Sequence, residues 1–113
     1  MIKIILEEHN NILHIKNEYS PIVCGNTNYE IEFIFSEDWQ KLDEKTAVFI
    51  TPTHTFSVNF KNNTVNVPAL TNADKVSVLV MSAENEPIKL TSSTTSLRLV
   101  QTPVTSVLEP AKN

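Results

Sequence analysis

His9, His14 and His54 are the chain's three histidines, and with Glu7 and Glu8 beside His9 they are its first candidates for chemistry. A metal site draws three or four imidazole, thiolate or carboxylate donors onto one ion. Here His9 and His14 flank a turn and His54 stands far along the chain, so solvated surface histidines are expected and no metal or other cofactor is. Carboxylates come next. Glu37, Asp38, Asp43 and Glu44 surround Trp39. A glycosidase needs two such groups converging in a cleft about 5–9 Å apart, whereas these four lie on a charged link between apolar strands and read as solvated. Trp39, Tyr19 and Tyr29 are the candidate contact residues for a partner or stacking platforms for a sugar. Trp39 directly follows an apolar strand, which favours a lid over a core. Cys24 follows Ile22-Val23 and is expected as a buried thiol, since free cysteine behaves as a small hydrophobe. Ser92, Ser93 and Ser96 lie in a Ser/Thr-rich link without a nucleophile elbow. No catalytic residue is expected, and the chain does not read as an enzyme.

Strands must position these groups. In Tyr29–Phe35, side chains alternate across the pleat, so Tyr29, Ile31, Phe33 and Phe35 share one face while Glu30, Glu32 and Ile34 take the other. Four large apolar groups on one face require a covering layer. The strand stops at Ser36-Glu37-Asp38-Trp39, where a capping serine and two acids predict one helical turn within Ser36–Leu42. Residues 2–8 alternate with Ile2, Ile4 and Leu6 on one face. Asn10-Asn11 predicts a hairpin turn into residues 12–17, with Leu13 and Ile15 facing in. Further strands are expected at 22–24, 46–51, 55–61, 64–67, 75–82, 88–91 and 95–101, and a second helical turn at Leu70–Asp74. Residues 75–82 are apolar on both faces and should be central. Eight or nine short strands at this spacing predict an all-β, immunoglobulin-like sandwich of about seven to nine antiparallel strands. It should fill residues 1–101, with 102–113 as an extended tail or linker anchored at Val107-Leu108.

Composition narrows the functions. The chain has 113 residues, enough for one domain with a real core. Its net charge of −4, with Lys and Arg scattered, leaves no basic stripe for nucleic acid or an anionic membrane. One glycine excludes a glycine-rich phosphate loop. One cysteine excludes an intrachain disulfide. Met1–Glu8 is too short an apolar run, and too interrupted by charge, for a signal peptide, so folding in a reducing cytoplasm is expected.

Two segments resemble a known group. Tyr29-Glu30-Ile31-Glu32-Phe33-Ile34-Phe35-Ser36-Glu37-Asp38-Trp39, followed by Lys45-Thr46-Ala47-Val48-Phe49, is similar to the N-terminal immunoglobulin-like module of baseplate upper proteins, tail fibres and head fibres in phages and prophages of Gram-positive bacteria. Val65-Asn66-Val67-Pro68, Val76–Met81 and Pro87–Thr91 match later pieces of that module, so the resemblance spans roughly residues 1–100. The module's usual Trp-Asp-Gly continuation is replaced here by Trp39-Gln40-Lys41. The resemblance implies a virion structural protein that attaches an appendage or decorates a capsid. Its partners would be capsid, tail or baseplate proteins, with a homotrimer as the implied assembly. A carbohydrate-binding or host-adhesion module on the same fold is the alternative.

Overall fold

The computed structural model describes residues 1–102. It contains β1 (Ile2–His9), β2 (Ile12–Ile15), β3 (Ile22–Val23), β4 (Tyr29–Ile34), α1 (Glu37–Gln40), β5 (Lys45–Ile50), β6 (Thr55–Phe60), β7 (Thr64–Asn66), β8 (Lys75–Ser82) and β9 (Thr95–Val100). They form a four-stranded sheet, β2-β1-β4-β7, and a five-stranded sheet, β3-β9-β8-β5-β6. The two sheets face each other as a sandwich.

The facing layers follow from the alternation. Ile4 and Leu6 of β1, Ile31 and Phe33 of β4 and Val65 of β7 are buried from one sheet. Ala47 and Phe49 of β5, Val76, Val78 and Val80 of β8 and Leu97 of β9 meet them from the other. The outward residues of β4 stay wet, and Lys3 lies 3.0 Å from Glu32 and 4.0 Å from Glu30 on that surface. Strand β8 is the middle strand of its sheet, as its two apolar faces predict. The β1–β2 turn holds Asn10 at φ 52° and Asn11 at φ 68°, left-handed geometry that asparagine tolerates better than most side chains. The chain's one glycine, Gly25, supplies φ 88° after β3.

Several expectations need correction. Not every pairing is antiparallel: β1 pairs with β4 in parallel, from Ile2 opposite Tyr29 to Glu7 opposite Ile34, and β3 pairs with β9 in parallel. Parallel neighbours need a long connection. Here the chain leaves β2, places β3 in the other sheet, and returns as β4 on the free side of β1. Ile15 is 38% exposed although it lies opposite fully buried Leu6, because β2 is an edge strand with no neighbour on its far side among the described residues. Leu70–Asp74 forms no helix, although Leu70 and Ala73 are buried. Residues 88–91 make one bridge, Thr91 to Met81, and no strand. The tail beyond Thr102, with its expected anchor at Val107-Leu108, lies outside the described residues.

Candidate functional site

The single turn α1 and the aromatic strand before it build the most organised cluster in the molecule. Phe60, Phe33, Phe35 and Trp39 stack as a ladder. Ring centroids are 5.5 Å apart for Phe33–Phe60, 5.1 Å for Phe33–Phe35 and 5.5 Å for Phe35–Trp39, with interplanar angles of 10–15°. Such pairs add about 0.5–1.5 kcal/mol each beyond area burial. Trp39 is fully buried and closes the end of the sandwich. Its indole N–H donates to Asn11 Oδ1 at 2.8 Å, tying α1 to the β1–β2 turn.

Beneath that contact lies a buried carboxylate. Glu8 continues the inward phase of Ile4 and Leu6 on β1 and is 2% exposed. Its Oε1 accepts the Ser36 amide at 2.8 Å and the Ser36 hydroxyl at 2.6 Å, and its Oε2 accepts the Asn11 amide at 2.8 Å. Burial favours the neutral acid, but the Ser36 and Asn11 donors and the nearby His9 outweigh it, holding the carboxyl below its ordinary value. The capping serine expected from the sequence is therefore not found: Ser36 makes no side-chain cap to α1. Its hydroxyl is committed to Glu8.

Lys45 is the second buried charge. It is in phase with Ala47 and Phe49 on β5 and is 2% exposed. Its ammonium sits 5.0 Å from the Phe35 centroid and 5.7 Å from that of Phe60. Burial lowers its pKa, opposed by the negative charges of Glu86 and Asp43. Cation–π attraction of about 1–2 kcal/mol offsets only part of the cost of desolvating an ammonium. Lys45→Met keeps the stem and removes the charge, so this variant is expected to be at least as stable as the parent in urea denaturation. A loss of about 3 kcal/mol would show instead that the rings and the negative charges of buried Glu86 and nearby Asp43 together over-compensate the lost water.

The sequence-selected residues are placed as follows. Trp39 and Tyr29 are both buried, so neither offers a stacking face to solvent. The Tyr29 hydroxyl accepts the Val23 amide at 3.1 Å, linking the two sheets. Tyr19 is half-buried; its hydroxyl accepts the Arg98 amide at 3.1 Å, and the Arg98 guanidinium lies 5.2 Å from its ring. Of the acids, Glu37, Asp38 and Asp43 are exposed and Glu44 is half-buried, and the backbone of Glu44 is tied to Glu86 and Ala83. His9, His14 and His54 are exposed, and among the described residues no group of three potential metal ligands occurs. Cys24 is buried.

Elsewhere, the outer face of the five-stranded sheet is partly apolar. Ile50 and Met81 are each 36% exposed, with Val48 and Leu79 half-buried beside them. Beside Met81 a groove of about 400 Å³ runs along Thr46, Glu84, Lys89, Leu90 and Thr91. No helix among the described residues is long and apolar enough to cross a membrane. Sequence reasoning missed Glu8, Lys45 and Glu86 as buried charges; Glu8 and Lys45 carry a readable signal, a charged residue falling in the inward phase of a strand, whereas Glu86 lies outside any strand. Comparison with protein-family models, with curated proteins and with solved structures finds no match to this chain.

Proposed function

We propose that the chain is a virion structural module: a β-sandwich attachment or decoration domain of a bacteriophage head fibre, tail fibre or baseplate. It acts by surface contact with capsid, tail or baseplate neighbours and has no turnover. One observation carries this reading. The residues that bear the resemblance, Tyr29–Trp39 and Lys45–Phe49, fold into one contiguous unit of β4, α1 and β5, and that unit supplies Phe33, Phe35, Trp39, Lys45 and Phe49 to the core. What the resemblance picks out is therefore the framework of the sandwich, as expected for a module that serves as a rigid block. The partly apolar outer sheet face gives contact area of the kind that interaction surfaces use.

The reading is tested on whole particles. Purified virions from a producing host should contain the chain in stoichiometric amounts by mass spectrometry, and cryo-electron microscopy should place a two-sheet density of this size on head or tail. Particles free of the chain, made by a host that expresses it, overturn the proposal.

A further inference from the structure

Sheet edges carry unpaired backbone groups and are ready-made pairing sites, which proteins blunt with short strands, charges, proline or bulges. Among the described residues three of the four sheet edges are blunted by length: β2 has four residues, β7 three and β3 two. The fourth, β6, has six, Thr55-Phe56-Ser57-Val58-Asn59-Phe60, with no charge, proline or glycine. Among the described residues β6 pairs only with β5, in unbroken register from Lys45 opposite Phe60 to Ile50 opposite Thr55.

Two hydrogen bonds fix which β6 backbone groups point outward. The Thr51 amide donates to the His54 carbonyl at 2.8 Å, so the bonded pairs of this ladder recur at Phe49/Phe56, Ala47/Val58 and Lys45/Phe60. Independently, the Ala83 amide donates to the Glu44 carbonyl at 3.1 Å, which turns the backbone of Thr46, Val48 and Ile50 toward β8 and that of Lys45, Ala47 and Phe49 toward β6. The amides and carbonyls of Thr55, Ser57 and Asn59 therefore face the open edge.

We propose that this edge binds a second copy of the chain, antiparallel, about a twofold axis at Ser57. In that register Ser57 lies opposite Ser57 of the second copy and Thr55 opposite Asn59, giving about six backbone hydrogen bonds. Side-chain phase agrees. Directly opposed residues share a face, so Phe56 meets Val58 of the other copy on the core side. Both are only half-buried at the rim of the sandwich, and each gains cover. What suits a copy of this chain as occupant is the self-matching pattern of the strand, Phe56 against Val58 and Thr55 against Asn59, and although each chain carries −4 this strand brings no like charges into register. The five-stranded sheet becomes continuous across the axis. The inference stands on the edge alone and is independent of the virion reading.

Sedimentation of the full chain from about 10 μM to 1 mM reads the outcome. A monomer–dimer equilibrium is expected, and Ser57→Lys, which sets two ammonium groups opposite each other on the axis, should raise the dissociation constant at least tenfold with an unchanged circular-dichroism spectrum. Ser57→Cys keeps the strand uncharged and, with Cys24 buried, should oxidise to a covalent dimer, whereas Asn63→Cys on the neighbouring turn should not. A monomer at every concentration, a trimer, a dimer indifferent to Ser57→Lys, or equal crosslinking at both cysteines overturns the proposal.

Discussion

Trp39→Ala is expected to cost about 4 kcal/mol of unfolding free energy, the middle of the range for emptying a buried aromatic site. The indole is fully buried, it ends the Phe60–Phe33–Phe35 ladder, and its N–H holds the β1–β2 turn. Truncation removes apolar burial, one stacking contact and the tie to Asn11 together. The site cannot collapse easily, because Phe35 is itself pinned between Phe33 and the Lys45 ammonium. Trp39→Phe separates these contributions. It keeps a ring against Phe35, and exposed Asn11 can turn its carbonyl to water, so a loss of about 1–2 kcal/mol is expected. Urea denaturation followed by far-ultraviolet circular dichroism measures both variants, since the parent's one tryptophan is the residue removed. If Trp39→Ala lost under about 1.5 kcal/mol, the indole would not be what seals this end of the core. The same experiment bears on Trp39 as a ligand platform, because a platform residue can be removed at little cost to folding.

The parts of this cluster that the sequence displays and those it hides differ for a physical reason. Local periodicity is set by the pleat, so it is readable one strand at a time. Tyr29, Ile31, Phe33 and Phe35 turn inward as their spacing requires, and β8 is central as its double-sided apolar pattern requires. The Asn10-Asn11 turn is legible because few side chains accept two successive positive φ angles. Pairing between distant strands leaves no such local trace. Nothing in residues 2–8 shows that β1 takes β4 as a parallel neighbour, because that choice depends on where the intervening chain crosses to the other sheet. Covering layers are equally non-local. Ile15 has the right phase for the core and still lies in water, while Phe56 and Val58 have the right phase and are only half covered. Glu8 and Lys45 show their inward phase in the sequence, but their residue type masks what that phase means. A charge in an inward phase reads as the end of a strand unless its partners are known. The partners of Glu8 come from Ser36 and Asn11, and those of Lys45 are the rings of Phe35 and Phe60 with the negative charges of Glu86 and Asp43.

Removing buried Glu8 is expected to cost more than removing buried Lys45, and Glu8 is expected to set the acid limit of stability. Glu8→Ala leaves the Ser36 and Asn11 amides without their acceptor at a closed position, for an expected loss of about 3 kcal/mol at neutral pH. Glu8→Gln retains one carbonyl oxygen for Ser36 but places an amide nitrogen against the Asn11 N–H, or the reverse, so about 2 kcal/mol is expected. The pH dependence separates charge from shape. The folded-state pKa of Glu8 lies below its ordinary 4.5, so the unfolded chain takes up the proton first on acidification. Its stabilisation is therefore complete above about pH 5 and is lost as pH falls through the folded value. Glu8→Gln has no proton to gain there. The gap between parent and Glu8→Gln stabilities should hold constant from pH 8 to 5 and close progressively below about pH 4, measured by urea denaturation at each pH. A gap that stays constant down to pH 2.5 would mean that the ionised form of Glu8 is not what Ser36 and Asn11 select. The tie between β1, the β1–β2 turn and α1 would then rest on shape alone, and the position of Trp39 above it would owe nothing to charge.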